Sequence, residues 1–478
     1  MASHQNEEQV GDAGVESPTC GRRNVVLFVS RLSPRRQDMA LFLVTATVGL
    51  ATGLLVAGYE WLTSLVRRGY DLLGWLPLTG VAWWQLLVVP VIGGIGIALV
   101  RRFVAEGYGA YGVAQVMRVV RGQRSPITFR EAMSKVVLSA WTIGNGGSVG
   151  REGPAVEVGA AVATRIGAAV GLGPRRCAIL LAAGSAAGIA AIFQAPLAGM
   201  AYAFEIVVAE ITLRTSGPII LAAVVGSLVA RALGAGETLS LPPYQLISGQ
   251  MWWLTLPVMA GLALVAAAVA ALFTNGLRGA DILFHRLPLP GWLLPPLGFL
   301  ILGVLLVAAP EVFGTGVTVV EATLREHYVL ESMVGLLLAK MLATSITLAA
   351  GGVGGLFGPS LFLGAVAGGA YGMTVMLWTS AIPHYGIYAV LGMGAVLGAV
   401  IRAPITATMI VFEVTGDYRL VVPLLLITLF AILLTRWMSH RSIYTGTTEI
   451  HPDADPSLQT LGFPRADGVT EPKAEWER

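Results

Sequence analysis

Between Lys340 and Arg402 the chain runs for 61 residues without a single Asp, Glu, Lys or Arg. One bilayer-spanning helix takes only about 20 apolar residues, so this stretch alone holds more than one crossing. Shorter uncharged runs extend from Met39 to Tyr59, Leu72 to Val100, Cys177 to Phe204 and Thr238 to Leu277. The charged residues that remain gather at the ends: 10 lie in the first 39 residues and 11 in the last 41, out of 59 in the whole chain. An overall charged fraction of 12% is half the roughly 25% of a soluble domain. The expectation is an all-α polytopic membrane protein, with polar tails at 1–39 and 447–478 around a membrane domain over 40–446.

Arg22, Arg23, Arg31, Arg35 and Arg36 crowd the entry to the first apolar run, which fits neither a signal nor a transit peptide. The positive-inside rule then keeps the N-terminus in the cytoplasm. A net charge of +3 without a basic stripe gives no reason for a nucleic-acid partner. Cys20 and Cys177 form no metal-ligand or redox spacing, and neither a metal nor a cofactor is expected.

Glycine punctuates the apolar runs, with 59 residues in 478, about 12% where average usage is about 7%. Helices interrupted within the bilayer fit that pattern, because unpaired backbone at membrane depth survives only inside protein or along a polar cavity. Two blocks recur along the chain. Residues 135–161 match 340–366 at an offset of 205 with 9 of 27 identical, and residues 184–207 match 392–415 at an offset of 208 with 7 of 24 identical. Two related halves, about 40–230 and 250–437, follow. In membrane transporters that plan places a substrate site near the midplane where the repeats meet.

Both copies of the first block carry a glycine-rich turn ending in Gly-Pro: Gly150-Arg151-Glu152-Gly153-Pro154 and Gly355-Leu356-Phe357-Gly358-Pro359. Proline suits a first helical turn, where its missing N–H is not needed, and glycine leaves the backbone uncovered. Each block thus offers a helix N-terminus with exposed N–H groups, and two such ends meeting in mid-membrane would cradle a partly dehydrated anion. Fixed partial charges hold an anion more weakly than a lysine or arginine would, and fast turnover needs weak sites. The alternative use of these glycines is close helix packing.

A carboxylate within an apolar segment costs about 2.5–3.5 kcal/mol on insertion scales and marks a functional site by default. Glu152 is such a residue. At a helix N-terminus its carboxylate can occupy the anion position itself, and its protonated form would leave, giving a gate sensitive to protons and to competing anions. Glu205 and Glu413 hold equivalent places after Phe in the second repeat, where capping of buried N–H groups is the simplest role. Glu157 is open to two readings, a proton path or a local hydrogen bond. Lys135 and Lys340 coincide in the repeat and are expected to face a polar helix end, and His285, before a proline-rich stretch, is expected in a connecting loop. A degenerate glycine loop at Gly144–Gly150 lacks the strand and acidic residue of a dinucleotide site, and an intramembrane hydrolase built on Glu152 alone has poor support, so no enzyme is expected.

These stretches, with Ser442-Ile443-Tyr444-Thr445, resemble the signature segments of the CLC chloride channels and proton/chloride exchangers. The resemblance spans about residues 40–446. It implies a homodimer of all-helical subunits, each an inverted repeat of many short, broken and tilted helices with its own anion pore and with both termini cytoplasmic. It also implies that Glu152 is the gate and that backbone N–H groups of Arg151, Glu152, Gly153, Leu356, Phe357 and Gly358 line the anion sites, with the Tyr444 hydroxyl closing the inner side.

Two departures stand out. The family's first stretch falls on Ala110-Tyr111-Gly112, so Tyr111 replaces the small residue expected beside the anion. A second glutamate, which in many exchangers follows the one matching Glu205 and hands protons to the cytoplasm, is here Ile206. An apolar side chain relays no proton, which favours passive chloride conduction over proton-coupled exchange. Glu157 and Glu210 are the candidate substitutes if coupling exists. The C-terminal tail is too short for the paired nucleotide-binding domains of many relatives, and low Lys with high Ala, Gly and Arg suggests a bacterial inner membrane.

Overall fold

The repeat read from the sequence sorts the helices of the computed structural model into two sets of eight. The structure describes residues 34–72, 82–103, 112–120, 127–208, 212–236, 252–378 and 384–439. The first half comprises α1 (Pro34–Leu72), α2 (Trp83–Phe103), α3 (Gly112–Val120), α4 (Phe129–Gly144), α5 (Glu152–Val170), α6 (Pro174–Phe193), α7 (Pro196–Tyr202) and α8 (Leu213–Ala232). The second comprises α9 (Trp252–Arg286), α10 (Leu294–Ala308), α11 (Val317–Leu324), α12 (Leu330–Ala349), α13 (Phe357–Met376), α14 (Gly386–Ile401), α15 (Pro404–Thr415) and α16 (Val421–Met438). Lengths match across the halves: α1 and α9 have 39 and 35 residues, α3 and α11 only 9 and 8. Among the described residues there is no strand, and eight helices are long and apolar enough to cross a membrane.

The halves bind each other reciprocally. Gly150 donates its N–H to the Gly355 carbonyl at 2.9 Å and Gly355 donates to the Gly150 carbonyl at 2.7 Å, an antiparallel bridge between repeat-equivalent residues. Ser148 N–H donates to Thr347 Oγ1 at 3.1 Å, and the equivalent pair, Val353 N–H and Thr142 Oγ1, lies at 3.2 Å. Such mutual contacts are the mark of a two-fold relation. The two segments run in opposite directions at the bridge, as the halves of an inverted repeat do.

Local sequence explains why the breaks fall where they do. Gln194 and Arg402, at equivalent positions, take left-handed conformations (φ 51° and 60°) and end α6 and α14. Pro196 and Pro404 then start α7 and α15 at positions where no N–H is needed. A Cβ on Gly159 would overlap the backbone of Gly184, and one on Gly364 that of Gly392. The packing role of glycine therefore operates twice, once in each half, between α5 and α6 and between α13 and α14.

Glu205 and Glu413 cap each other's halves. Glu413 accepts from the Leu197 and Ala198 N–H groups of α7 at 2.9 and 2.6 Å, and Glu205 accepts from those of Ile405 and Thr406 of α15 at 3.1 and 2.7 Å. Around Glu205 the backbone widens into a π-helical turn, Ala203–Val208, which its partner half lacks. Replacing Glu413 with alanine strips both acceptors from the start of α7. Hydrogen bonds to charged groups contribute about 1.5–3 kcal/mol each, so Glu413→Ala is expected to lower the thermal midpoint of the detergent-purified protein by several degrees, and an unchanged melting curve would refute the capping role.

Candidate anion and proton site

The Gly-x-x-Gly-Pro segments of the two halves meet at the Gly150–Gly355 bridge, and α5 and α13 both begin there. Neither helix has a side-chain cap at its N-terminus. Glu152, in the first turn of α5, fills that gap for the other half: its Oε1 accepts the Gly358 N–H of α13 at 2.9 Å. A Cβ on Gly355 would sit 2.7 Å from that carboxylate, and one on Gly150 would overlap it. The negative group therefore lies in a cradle of bare backbone at a helix N-terminus, buried to 2% exposure, where amide dipoles favour an anion. The repeat equivalent of Glu152 is Phe357, so only one carboxylate enters the cradle. Leu356 and Phe357 are buried beside it, and the Tyr202 ring meets that of Phe357 edge-on at 6.2 Å between centroids.

Arg151 pairs with a glutamate outside the cradle. Its guanidinium lies 3.1 Å from Glu60 Oε1 on α1, and Glu60 Oε2 accepts the Gly236 N–H at 2.6 Å. Glu60 escaped the sequence reading, although it is the carboxylate that ends the uncharged run from Met39 to Tyr59. Its role is to hold the turn that precedes α5.

Glu157 forms an ion pair. Its Oε1 is 2.7 Å from Lys135 Nζ, which also donates to Gln115 Oε1 of α3. Lys340, the equivalent of Lys135, donates instead to the carbonyls of Gly314 at 2.7 Å and Val312 at 3.3 Å and lies 5.0 Å from the centre of the Phe362 ring. Phe362 is the repeat equivalent of Glu157. Lys340 meets the expected helix end, since Val312 closes a short 3-10 helix over Pro310–Val312, whereas Lys135 meets a carboxylate. His285 also departs from expectation, because α9 continues through Arg286 and places it in the last turn, where its Nδ1 is 3.4 Å from Asp281 Oδ1. Tyr111, Glu210 and Tyr444 lie outside the described residues, as do the tails before residue 34 and after residue 439. Among the described residues no group of three or more His, Cys, Asp or Glu is placed to hold a metal ion.

Comparison with known proteins fits this geometry. The family model described as voltage gated chloride channel matches residues 91–436. A ClcB-like protein of Ralstonia nicotianae is 33% identical over 350 residues, covering 72% of this chain and 81% of the relative. The H(+)/Cl(-) exchange transporter ClcA of Vibrio vulnificus is 29% identical over 435 residues, covering 87% of this chain and 90% of the relative. The crystal structure of a slow cyanobacterial Cl-/H+ antiporter superposes with a TM-score of 0.76 at 24% identity, covering 90% of this chain and 99% of that one, and so shares the fold.

Proposed function

This chain belongs to the voltage gated chloride channel family, and on that premise we propose that it exchanges chloride for protons, with Glu152 as the group for which both compete. One observation carries the reading: the Glu152 carboxylate accepts the Gly358 N–H inside a backbone cradle suited to an anion. A carboxylate and a chloride ion satisfy the same donors, so either one excludes the other. Protonation removes the charge that holds Glu152 there, vacates the cradle and admits chloride. Chloride entry and proton uptake are thereby linked at one site.

The names of relatives speak to both modes: the Ralstonia relative is named as a chloride channel protein, the Vibrio relative is called an H(+)/Cl(-) exchange transporter, and the cyanobacterial neighbour is titled an antiporter. Ile206 supports passive conduction, because the usual inner carboxylate is missing. Exchange is the better supported of the two, and it requires another group to meet protons on the inner side. In this reading the N–H groups of Arg151, Glu152, Gly153, Leu356, Phe357 and Gly358 line the anion path, with Tyr111 and Tyr444 at its inner end. The working unit is a homodimer in a cell membrane, with both termini cytoplasmic and a separate pathway in each subunit.

The deciding measurement uses purified protein in lipid vesicles with a chloride gradient, no pH gradient, and the voltage clamped by an ionophore. Exchange predicts protons driven uphill by chloride. Chloride flux without proton movement would establish passive conduction.

A further inference from the structure

The repeat supplies an internal control for Glu157. Where the first half buries a Lys135–Glu157 ion pair, the second satisfies the equivalent lysine with two carbonyls and the face of Phe362. Burying a carboxylate is costly even when it is paired, and the other half carries Phe362 at the equivalent position, which singles out Glu157 for a role beyond packing.

Glu157 also borders a cavity of about 360 Å³. At its inner end the walls are Glu157, Lys135, Gly112 and Pro154, the last in the first turn of α5 beside Glu152. At its outer end they are Arg101, Asp281 and His285. Side-chain exposure runs from 0% at Glu157 and 4% at Lys135 to 62% at Asp281 and 74% at His285, so the cavity opens to solvent at its outer end and stops against the buried pair. Its volume holds several waters at about 30 Å³ each. The mouth lies where α2 and α9 end. Two consecutive spanning helices cross in opposite directions, so the end of α2 returns to the side on which α1 began. Arg35, Arg36, Arg101, Arg102, Arg278 and Arg286 all fall at that side, which the positive-inside rule makes cytoplasmic.

We propose that Glu157 is the inner proton-binding site of this protein, loaded from the cytoplasm through the Arg101–Asp281–His285 cavity, in place of a carboxylate at Ile206. The proposal rests on the exchange reading for its purpose, though not for its chemistry. A proton arriving through water forms an O–H bond on Glu157 while Lys135 keeps its charge. That O–H bond then breaks as water passes a proton on to the Glu152 carboxylate, so one proton moves and nothing is oxidised or reduced. Lys135 of α4 faces Glu157 directly, with Glu131 4.0 Å beyond that lysine and Gln115 of α3 hydrogen-bonded to both Lys135 and Glu131. Tyr202 of α7 lies within electrostatic reach.

Two measurements on the full-length protein test the assignment. Infrared difference spectra on acidification from about pH 8 to about pH 4, across the carboxyl range, should show a protonated-carboxyl band that Glu157→Gln removes. Spectra identical in the two proteins would overturn the proposal whether or not the protein exchanges ions. In vesicles, Glu157→Gln should lower the protons moved per chloride by at least about tenfold, short of the full contribution of a positioned proton-transfer group, and Glu157→Asp should restore part of it. An unchanged ratio would overturn the proposal. Should Glu157→Gln fail to fold, a bulky thiol reagent on His285→Cys should slow appearance of the carboxyl band in otherwise wild-type protein, and no slowing would count against the cavity as the route. If wild-type protein moves no protons while Glu157 still titrates, the exchange reading falls and the proton site stands.

Discussion

Replacing Glu152 with glutamine is expected to make anion flux nearly indifferent to pH and to end proton movement. The amide cannot take up a proton over the working range, so the step that vacates the cradle in the parent protein has no counterpart. A hydrogen bond from Gly358 to a carboxylate is also stronger than one to a neutral amide. Hydrogen bonds to charged groups contribute about 1.5–3 kcal/mol against about 1 kcal/mol for neutral ones, a difference of roughly tenfold in occupancy at about 1.4 kcal/mol per factor of ten. Chloride therefore competes better against glutamine than against glutamate, and flux at neutral pH should rise about tenfold. The sign for the parent protein follows directly: acidification protonates Glu152, weakens its hold on the Gly358 N–H and increases flux. Chloride efflux from vesicles at several pH values, with protons recorded in parallel, checks all of this. A variant that keeps the parent's pH profile would remove Glu152 from the gate.

Glu152 was legible in the sequence because a lone carboxylate beside a repeated Gly-x-x-Gly-Pro is locally conspicuous. Its contact was not, since Gly358 lies in the other half of the chain and only the inverted repeat brings the two together. The same limit applies to Glu205 and Glu413. Their capping role was readable from their symmetry, whereas the exchange of caps between halves was visible only in three dimensions. Glu60 was passed over because its partners, Arg151 and Gly236, lie in other segments of the chain.

The position of His285 shows a different limit. Charge at Arg286 and prolines at 288 and 290 read together as a loop, but proline stops a helix only near its own position, and α9 runs to Arg286 with His285 bonded one turn back to the Asp281 carbonyl. The repeat alignment had already placed Glu157 opposite Phe362. That mismatch gained meaning only once the two lysines were seen to take different partners. Equivalence between halves is thus readable from sequence, while the chemistry that breaks it depends on which side chains the fold sets face to face.

The cradle itself makes the second large prediction. Gly150 and Gly355 are tied to each other by two backbone hydrogen bonds, so neither can withdraw to admit a side chain. A methyl group on Gly150 would fall on the position now held by the Glu152 carboxylate, and one on Gly355 would lie 2.7 Å from its oxygen and 2.9 Å from the Gly153 nitrogen. Overpacking of this kind costs about 1–3 kcal/mol; on Gly355 part of it falls on the Gly153 nitrogen whatever fills the cradle, and the rest falls on an anion placed there. Gly150→Ala and Gly355→Ala should therefore each weaken chloride binding by about tenfold or more, at about 1.4 kcal/mol per factor of ten, and slow flux at every pH. This pattern is opposite to that of Glu152→Gln, which frees the cradle where these variants fill it. Gly58→Ala is the matched control, since nothing lies within 4 Å of the added carbon, and alanine there should leave binding unchanged. Calorimetric titration of the three purified variants with chloride, alongside their melting curves, separates loss of the site from loss of the fold. Chloride binding at the parent's affinity by a folded Gly150→Ala protein would place the anion somewhere other than the meeting point of α5 and α13.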